Sequence, residues 1–238
     1  MRAVVLAGGK GTRLRPYTTV FPKPLVPVGE YPILEIIVRQ LARQGFERIT
    51  LSTGHLAELI EAYFQDGERW GIAIDYYREA RPLSTAGALR LIDPPHEGFL
   101  VMNGDVLATL DYAALLNGHI SSGATATVAV TERESQVDFG VAEIGPDGDL
   151  VGWTEKPTYR FAVSMGVYAL STVAIDLIEP DEAIGMPDLL LRVRSCGGRV
   201  RCHRSNCYWL DIGRVDDYAR AQDDFERMRA EFLGDGEK

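Results

Sequence analysis

The sequence predicts an α/β protein in which a mostly parallel sheet is flanked by helices on both faces. Short apolar runs, beginning with residues 2–6, alternate with amphipathic segments along the first half of the chain. Some of these runs end directly in glycine or aspartate, as buried parallel strands do at the edge of a sheet that binds ligands. This alternation favours strand–helix–strand units over an all-helical or all-β fold.

The elements of the first half follow from apolar periodicity. Ile33, Ile36, Ile37 and Leu41 recur at helical spacing, and Gly45 ends that helix. The predicted strands lie at 2–6, 48–53, 72–77 and 99–102. The predicted helices lie at 33–44, 56–64 and 86–92.

The pattern changes after Ala124. Strands are predicted at 125–130, 141–144, 150–155 and 165–170, and helices at 172–178, 187–194 and 215–232. The turn Gly145, Pro146, Asp147, Gly148 predicts that the second and third of these strands form a β-hairpin. We interpret this half as a hairpin and lid inserted on the same sheet, followed by a closing helix.

Length and charge limit the classes of function. The chain has 238 residues, with 34 acidic and 25 basic side chains and a formal net charge of -9, and this length fits one domain. The acidic balance argues against nucleic-acid or membrane binding, because no excess of cations is present to neutralise phosphates. Three cysteines at no zinc-ligand spacing predict a reduced, cytoplasmic setting. Neither a signal peptide nor a membrane span is expected.

The strongest chemical motif is GGKGTRL at residues 8–14, directly after the first predicted strand. Glycines there allow backbone N–H groups to turn toward a phosphate chain, and Arg13 and Lys23 add positive charge. The motif is no Walker A loop, since no Lys-Ser/Thr pair follows its last glycine. It is no dinucleotide fingerprint, since Leu14 stands where a third glycine is needed. The alternative is a glycine-rich turn that binds nothing.

Two aspartates are candidate ligands for a hard cation. Asp105 ends the NGD motif after the apolar run FLVM, and Asp211 follows the apolar stretch YWL. Carboxylates at the ligand edge of a sheet can hold Mg²⁺ that bridges substrate phosphates, and two of them can share one ion. A cap or turn role for Asp105 is the alternative.

Glu155 and Lys156 form a third candidate pair, in the segment TEKP. Neighbours on an extended chain project to opposite sides, so a salt bridge between them is not the obvious explanation. A carboxylate that accepts sugar hydroxyls and an ammonium that contacts a phosphate would use both. On these two residues alone, a solvated surface is the simpler interpretation.

Eight motifs in order resemble those of the sugar-1-phosphate nucleotidyltransferases, also called NDP-sugar pyrophosphorylases. They are LAGGKGTRLRPYT, KPLVPV, PLSTAGAL, NGD, FGVAE, EKP, MGVYAL and YWLDIG, and they run from Met1 to about Ala221. Eight motifs in one order are far more specific than one. PLSTAGAL is most similar in style to mannose-1-phosphate and heptose-1-phosphate guanylyltransferases.

The resemblance implies a Rossmann-like fold and a role for each motif. Arg13, Lys23, Asp105 and Asp211 would be catalytic, with the two aspartates holding Mg²⁺. Thr85 and Gly87 would lie against the nucleotide base. The implied nucleotide-binding residues are Leu6, Ala7, Gly8, Gly9, Gly11, Thr12, Arg13, Lys23, Thr85, Gly87, Asn103 and Gly104. The implied sugar-phosphate residues are Gly140, Glu155, Lys156 and Ser164. The chain departs from common family residues at Ser84, often Gly, and at Ser164, often Asn.

The expected reaction is Mg²⁺-dependent transfer of a nucleotidyl group from an NTP, with GTP favoured, to a hexose- or heptose-1-phosphate. The expected partners are these small molecules, and the closing helix is a surface on which a homo-oligomer can form. A UTP or dTTP enzyme and a silent regulator that binds NDP-sugars are the alternatives. The implied organisation is one domain over 1–238: a nucleotide-binding half at 1–123, a sugar-binding half and lid at 124–214, and a helix and tail at 215–238. No second, β-helical catalytic unit is expected within this length.

Overall fold

In a computed structural model, residues 1–9, 11–92 and 98–234 are described. Their strands are β1 Arg2–Ala7, β2 Pro27–Val28, β3 Tyr31–Pro32, β4 Arg48–Thr53, β5 Ala73–Arg78, β6 Phe99–Asn103, β7 Val106–Ala108, β8 Ala126–Gln136, β9 Val141–Ile144, β10 Leu150–Thr154, β11 Thr158–Leu170, β12 Val200–Arg204 and β13 Trp209–Asp211. Their helices are α1 Ile33–Arg43, α2 Ala57–Phe64, α3 Ser84–Gly87, α4 Tyr112–Ser122, α5 Thr172–Ile175, α6 Met186–Ser195, α7 Val215–Arg227 and α8 Arg229–Leu233. The end of the predicted tail, residues 235–238, lies outside this range.

One central sheet of seven strands has the order β12-β8-β11-β6-β1-β4-β5. Strand β1 runs parallel to β4 and β6, β4 runs parallel to β5, and β12 runs parallel to β8. Only β11 runs antiparallel to its neighbours β6 and β8. The sheet is therefore mostly parallel, which confirms the predicted fold class.

Both faces of the sheet are covered by apolar packing. Val5 of β1 belongs to the core that includes Ile36 of α1, whereas Val4, on the opposite face of the strand, packs in a second core with Leu189 of α6. Successive side chains of a strand point to opposite faces, so a run of buried apolar residues requires a layer on each side. No helix among the described residues has the length and apolar character needed to cross a membrane.

A two-stranded arm extends from the sheet. Strands β8 and β11 remain paired out to Gln136 and Thr158, and beyond them β9 and β10 form an antiparallel hairpin. The hairpin turn is closed by Gly145 N–H, which donates to the Asp149 carbonyl at 2.9 Å. The predicted hairpin is therefore confirmed, but its flanking strands are longer than the predicted 125–130 and 165–170.

Several predicted elements were wrong or missing. The predicted helix 86–92 is a single turn, α3, followed by a 3-10 helix at Ala88–Leu91. The closing helix is interrupted at Met228, whose φ of -116° is not helical. Helix α4 and edge strand β12 were not predicted.

Candidate active site

A cleft of about 310 Å³ opens where the carboxyl ends of β1, β5 and β6 meet. Its walls come from the glycine-rich loop, the lysine segment, the chain from Glu79 to Thr85 and the NGD motif. They are Leu6, Ala7, Gly8, Gly9, Lys23, Pro24, Glu79, Pro82, Ser84, Thr85, Asn103, Gly104 and Asp105. Ligands of open α/β sheets bind at this edge, and nine of these residues are among those implied by the motifs.

The glycine-rich loop needs its glycines to fold closely. Gly11 has φ +60°, and a Cβ there would lie 2.9 Å from the Cβ of Lys23. The Thr18 hydroxyl donates to the Gly11 carbonyl at 2.7 Å and holds the loop against the next turn. Glycine adopts such a conformation with little strain. The glycine at position 11 is therefore required for packing as well as suited to anion binding. Lys10 lies outside the described residues.

Lys23 is buried beside the NGD motif. Lys23 is only 8% exposed, and its ammonium forms an ion pair with Asp105 Oδ2. A charge this deeply buried needs a counter-ion, because desolvation otherwise removes its charge. Asp105 Oδ1 is buried and, among the described residues, has no hydrogen-bond partner. One carboxylate oxygen therefore stays available to a ligand.

Asp211 is brought to Asp105 by a short antiparallel pairing. In the pairing of β13 with β7, Asp211 lies opposite Val106, and Ile212 N–H donates to the Asp105 carbonyl at 3.1 Å. Desolvation, followed by repulsion from Asp105, raises the pKa of the Asp211 carboxyl, and Lys23 and Arg13 partly offset this. The four residues implied to be catalytic therefore form one charged group.

Arg13 approaches this group from the 3-10 helix Thr12–Leu14. An added Cβ on Gly213 would lie 3.6 Å from Arg13 Nη1, so the guanidinium lies beside the chain segment that follows Asp211. Arg13 is exposed, and within the described residues it has no ion-pair partner. A cation in this position is available to an anionic ligand.

The two aspartates fit a hard divalent cation. They supply oxygen ligands, and one buried oxygen has no hydrogen-bond partner among the residues that the structure describes. Burial, and after it repulsion from Asp105, raises the pKa of Asp211. No cluster of three or more His, Cys, Asp or Glu suited to a metal occurs in the described part of the chain. Mg²⁺ is commonly held by one or two carboxylates, with water and substrate phosphates completing its coordination. The donor set therefore suits Mg²⁺ bound together with a phosphate substrate.

Helix α3 is fixed to the segment 182–186. Met186 N–H donates to the Thr85 hydroxyl at 2.7 Å, and the N–H groups of Ala86 and Gly87 donate to the Ile184 carbonyl. A Cβ on Gly87 would lie 2.2 Å from the Glu182 carbonyl oxygen, so this glycine permits close packing and does not line the cleft. Thr85 does line it.

Ser84 has φ +63°, in the left-handed region that favours glycine. The frequent glycine at this family position therefore has a physical reason, and Ser84 carries some backbone strain.

The implied sugar-phosphate residues lie on the arm and do not line the cleft. Gly140 lies under the indole of Trp153, where an added Cβ would be 2.2 Å from Cζ2. Trp153 Nε1 in turn donates to Glu155 Oε2 at 3.2 Å, so the structure brings Gly140 and Glu155 together. Lys156 is exposed and has φ +45°.

Ser164 connects the arm to the cleft. Its hydroxyl lies 3.1 Å from the Tyr168 hydroxyl and accepts from Gly166 N–H at 3.2 Å. A Cβ on Gly166 would lie 2.7 Å from Nδ2 of Asn103, which lines the cleft. Contacts therefore run from Ser164 on the arm through Gly166 to Asn103 in the cleft.

Glu79 is a residue of the cleft that the motifs did not indicate. It directly follows β5, so an acidic residue after a predicted strand was the available signal. Trp153, which joins Gly140 to Glu155, was also missed, because its position against Gly140 depends on the pairing of β9 with β10.

Comparison with known proteins places the chain in a family. The model for the Nucleotidyl transferase family matches residues 2–228. The chain belongs to this family. A D-glycero-alpha-D-manno-heptose 1-phosphate guanylyltransferase from Aneurinibacillus thermoaerophilus is 31% identical, over 95% of this chain and 99% of the relative. These matches confirm the family predicted from the eight motifs.

Other similar proteins differ in length and in the nucleotide that their names or titles give. A UTP--glucose-1-phosphate uridylyltransferase from Synechocystis is 33% identical over 93% of this chain, which spans only 62% of that relative. The crystal structure of HddC from Yersinia pseudotuberculosis complexed with GMP-PN is 27% identical and superposes with a TM-score of 0.71, over 94% of this chain and 99% of that chain. The family is therefore clear, and the nucleotide base varies among its members.

Proposed function

We propose that the chain is a Mg²⁺-dependent nucleotidyltransferase that uses GTP and a hexose- or heptose-1-phosphate to form an NDP-sugar and pyrophosphate. The observation that carries the proposal is the convergence of Lys23, Asp105 and Asp211 beside the glycine-rich loop. Family membership supports the reaction class. The partners in this proposal are small molecules, without nucleic acid or membrane. The cytoplasmic setting and the homo-oligomer stay predictions from the sequence.

The reaction is an in-line displacement at phosphorus. An oxygen of the sugar-1-phosphate attacks the α-phosphorus of the NTP, and the bond from that phosphorus to the bridging oxygen breaks, so that pyrophosphate leaves with the electron pair. The attacking phosphate oxygen is already ionised at neutral pH, so no general base is required. Such transfers depend on positioning and charge neutralisation more than on a protein nucleophile.

The residues of the cleft divide this work. Backbone N–H groups of the glycine-rich loop and the Arg13 guanidinium bind the outer phosphates. Lys23, which pairs with Asp105 in the structure, neutralises the negative charge of the pyrophosphate as it leaves. Mg²⁺, when bound by Asp105 and Asp211, supplies Lewis-acid stabilisation of the phosphate oxygens. Glu155 accepts sugar hydroxyls on the arm, and Lys156 contacts the sugar phosphate.

The choice of GTP is supported by two relatives that match almost the full chain. One is named a heptose 1-phosphate guanylyltransferase and the other is complexed with GMP-PN. The second candidate is a UTP enzyme, which the name of the Synechocystis relative favours. A dTTP enzyme and a silent regulator are weaker alternatives. The regulator is disfavoured because Arg13, Lys23, Asp105, Asp211 and Lys156 are all present.

Pyrophosphate release tests the proposal directly. GTP, UTP, dTTP and ATP are each combined with mannose-, glucose- and heptose-1-phosphate, with Mg²⁺ and with excess EDTA. We expect the fastest release with GTP and loss of release in EDTA. Faster release with UTP would favour the second candidate. No release from any combination would overturn the enzyme assignment in favour of a regulator that binds NDP-sugars.

A further inference from the structure

A basic cavity lies at the edge of the central sheet, away from the cleft. It is formed between α4 and the strands β8 and β12, of which β12 is the edge strand, and its volume is about 240 Å³. We call this cavity the edge pocket. Its lining includes His119, Thr127, Arg201, His203 and Arg204, and no Asp or Glu among the described residues lines it. The edge pocket therefore concentrates cations and hydrogen-bonding groups in a chain whose net charge is -9.

The pairing of β12 with β8 turns two of these side chains toward α4. Arg201 is in register with Thr127, and His203 with Ala129. Thr127 Oγ1 lies 3.0 Å from Nδ1 of the buried His119 on α4, so this face of β8 is directed at that helix. Paired residues of neighbouring strands share a face, and so do alternate residues of one strand. Arg201 and His203 therefore lie on the α4 side of the sheet.

The cations of the edge pocket are available to a ligand. Arg201 and Arg204 are exposed, and neither has an ion-pair partner in the part of the chain that the structure describes. Burial lowers the pKa of His119, so its imidazole is predominantly neutral at pH 7 and adds hydrogen-bonding capacity without a fixed charge. A guanidinium presents a planar fork of N–H donors that matches two oxygens of a phosphoryl group.

Gly118 leaves the helix side of the edge pocket open. It lies within α4 and lines the cavity, and an added Cβ would meet no atom within 4 Å beyond its chain neighbours and the backbone of its own helix. Glycine is unfavourable in a helix interior relative to alanine, and no close packing among the described residues requires it here. The missing side chain therefore provides room for a ligand.

The edge pocket is separate from the cleft. A Cβ on Gly98, which directly precedes β6, would lie 3.4 Å from Cδ2 of His119. Asn103, at the other end of β6, lines the cleft. Five residue steps along a strand span roughly 16 Å, so the two cavities lie toward opposite ends of the sheet.

We propose that the edge pocket is a second anion site, which binds the phosphoryl group of a small molecule through Arg201, with His203 and Arg204 as further donors. Its volume is below the roughly 300 Å³ at which pockets for drug-sized ligands begin, which favours an anion of the size of phosphate or pyrophosphate over a nucleotide. The net charge of -9 repels polyanions at long range and so disfavours nucleic acid. No residue of the cleft takes part.

Histidine NMR tests the proposal, because the histidines report on different places. His119 and His203 line the edge pocket, whereas the backbone N–H of His55 donates to the Gly8 carbonyl of the glycine-rich loop. Inorganic phosphate is titrated into the full chain at pH 7 and constant ionic strength, and the imidazole signals are assigned from single histidine substitutions. We expect the signals of His119 and His203 to shift together along one saturable curve.

Two variants and a control locate the site. Arg201→Met should weaken phosphate binding, measured from the His203 signal, by about 10- to 100-fold, the value of hydrogen bonds to a charged group. Gly118→Leu keeps every charge but fills the cavity, so it should abolish the saturable shift. Arg194→Met removes an exposed arginine of α6, on the opposite face of the sheet, and should leave the affinity unchanged. Circular dichroism spectra verify that each variant is folded.

Three results would overturn the proposal. A saturable shift of His55 alone would place phosphate only in the cleft. Shifts that rise linearly with phosphate, or that NaCl reproduces, would show non-specific screening of charge. Equal phosphate affinity in folded Arg201→Met and in the wild type would show that the pocket does not bind the anion through this arginine. These measurements involve no pyrophosphate release, so a failure of this site and a failure of the proposed transfer are distinguishable.

Discussion

Gly140→Ala is expected to weaken sugar-phosphate binding without unfolding the protein. An added Cβ would lie 2.2 Å from Trp153 Cζ2 and 2.9 Å from Glu155 Oε2. Carbon atoms in ordinary contact are about 3.5 Å apart, so the indole must retreat by about 1.3 Å. The hydrogen bond from Trp153 Nε1 to Glu155 is already 3.2 Å long, and this displacement breaks it.

The size of the effect follows from that hydrogen bond. A hydrogen bond to a charged group contributes about 1.5–3 kcal/mol, and the lower end applies because Trp153 is 61% exposed. A loss of about 1.4 kcal/mol corresponds to tenfold in affinity. We therefore expect the KM for the sugar-1-phosphate to rise roughly tenfold, with the KM for the NTP unchanged.

Steady-state pyrophosphate release, with each substrate varied in turn, measures both constants. Gly118→Ala is the control, because no atom beyond its chain neighbours and the backbone of its own helix lies within 4 Å of the added Cβ. If Gly140→Ala melts at the wild-type temperature and keeps its KM for the sugar-1-phosphate, Gly140 is not at the sugar site. A fall in the melting temperature of several degrees would instead show that the glycine serves the fold.

The remaining predictions concern the cleft. Lys23→Met should lower kcat by at least a hundredfold, because a charge that stabilises the transition state contributes about 3 kcal/mol; a kcat within a few fold of wild type, in a variant with an unchanged circular dichroism spectrum, would contradict this. Asp211→Asn should be inactive yet melt at a higher temperature at pH 7 than the wild type. The pKa of the Asp211 carboxyl is raised, so its ionised form opposes folding above that pKa and acidification relieves the penalty. The gain in melting temperature of Asp211→Asn over the wild type should therefore shrink at lower pH in calorimetric scans. A melting temperature below that of the wild type at pH 7 would refute this. Ser84→Val should melt a few degrees below Ser84→Gly, since a β-branched residue at φ +63° is strained; equal melting temperatures would show that this backbone conformation is not maintained.

Local sequence patterns were sufficient for the elements that bury a strong apolar face. Helix α1 and strands β1 and β4 were predicted within one or two residues, because their apolar residues recur at clear periods. Helix α4 contains Gly118 and His119 within its length, and its apolar face is weak. Strand β12 carries three charged or polar side chains around one cysteine and pairs in parallel with β8, more than sixty residues earlier. Neither has a pattern that sequence alone distinguishes from a loop.

The site could be predicted as a set of residues but not as a geometry. The motifs indicated Lys23, Asp105 and Asp211, yet the approach of Asp211 to the other two depends on the pairing of β7 with β13. Glu79 carries no family motif in this sequence, and its place in the cleft follows from the reach of its side chain toward Gly8. Pairings between distant segments depend on the whole fold, which short-range propensity does not contain.

The pairing of β7 with β13 also orders events during synthesis. Asp105 is translated long before Asp211, and Lys23, its ion-pair partner, precedes both. A nascent chain that has folded through β6 can therefore neutralise Asp105 with Lys23 while the second carboxylate is still missing. The charged group is complete only when β13 has emerged from the ribosome and paired with β7. Chains that stop before Trp209 lack Asp211, so the proposed transfer predicts that they cannot turn over substrate.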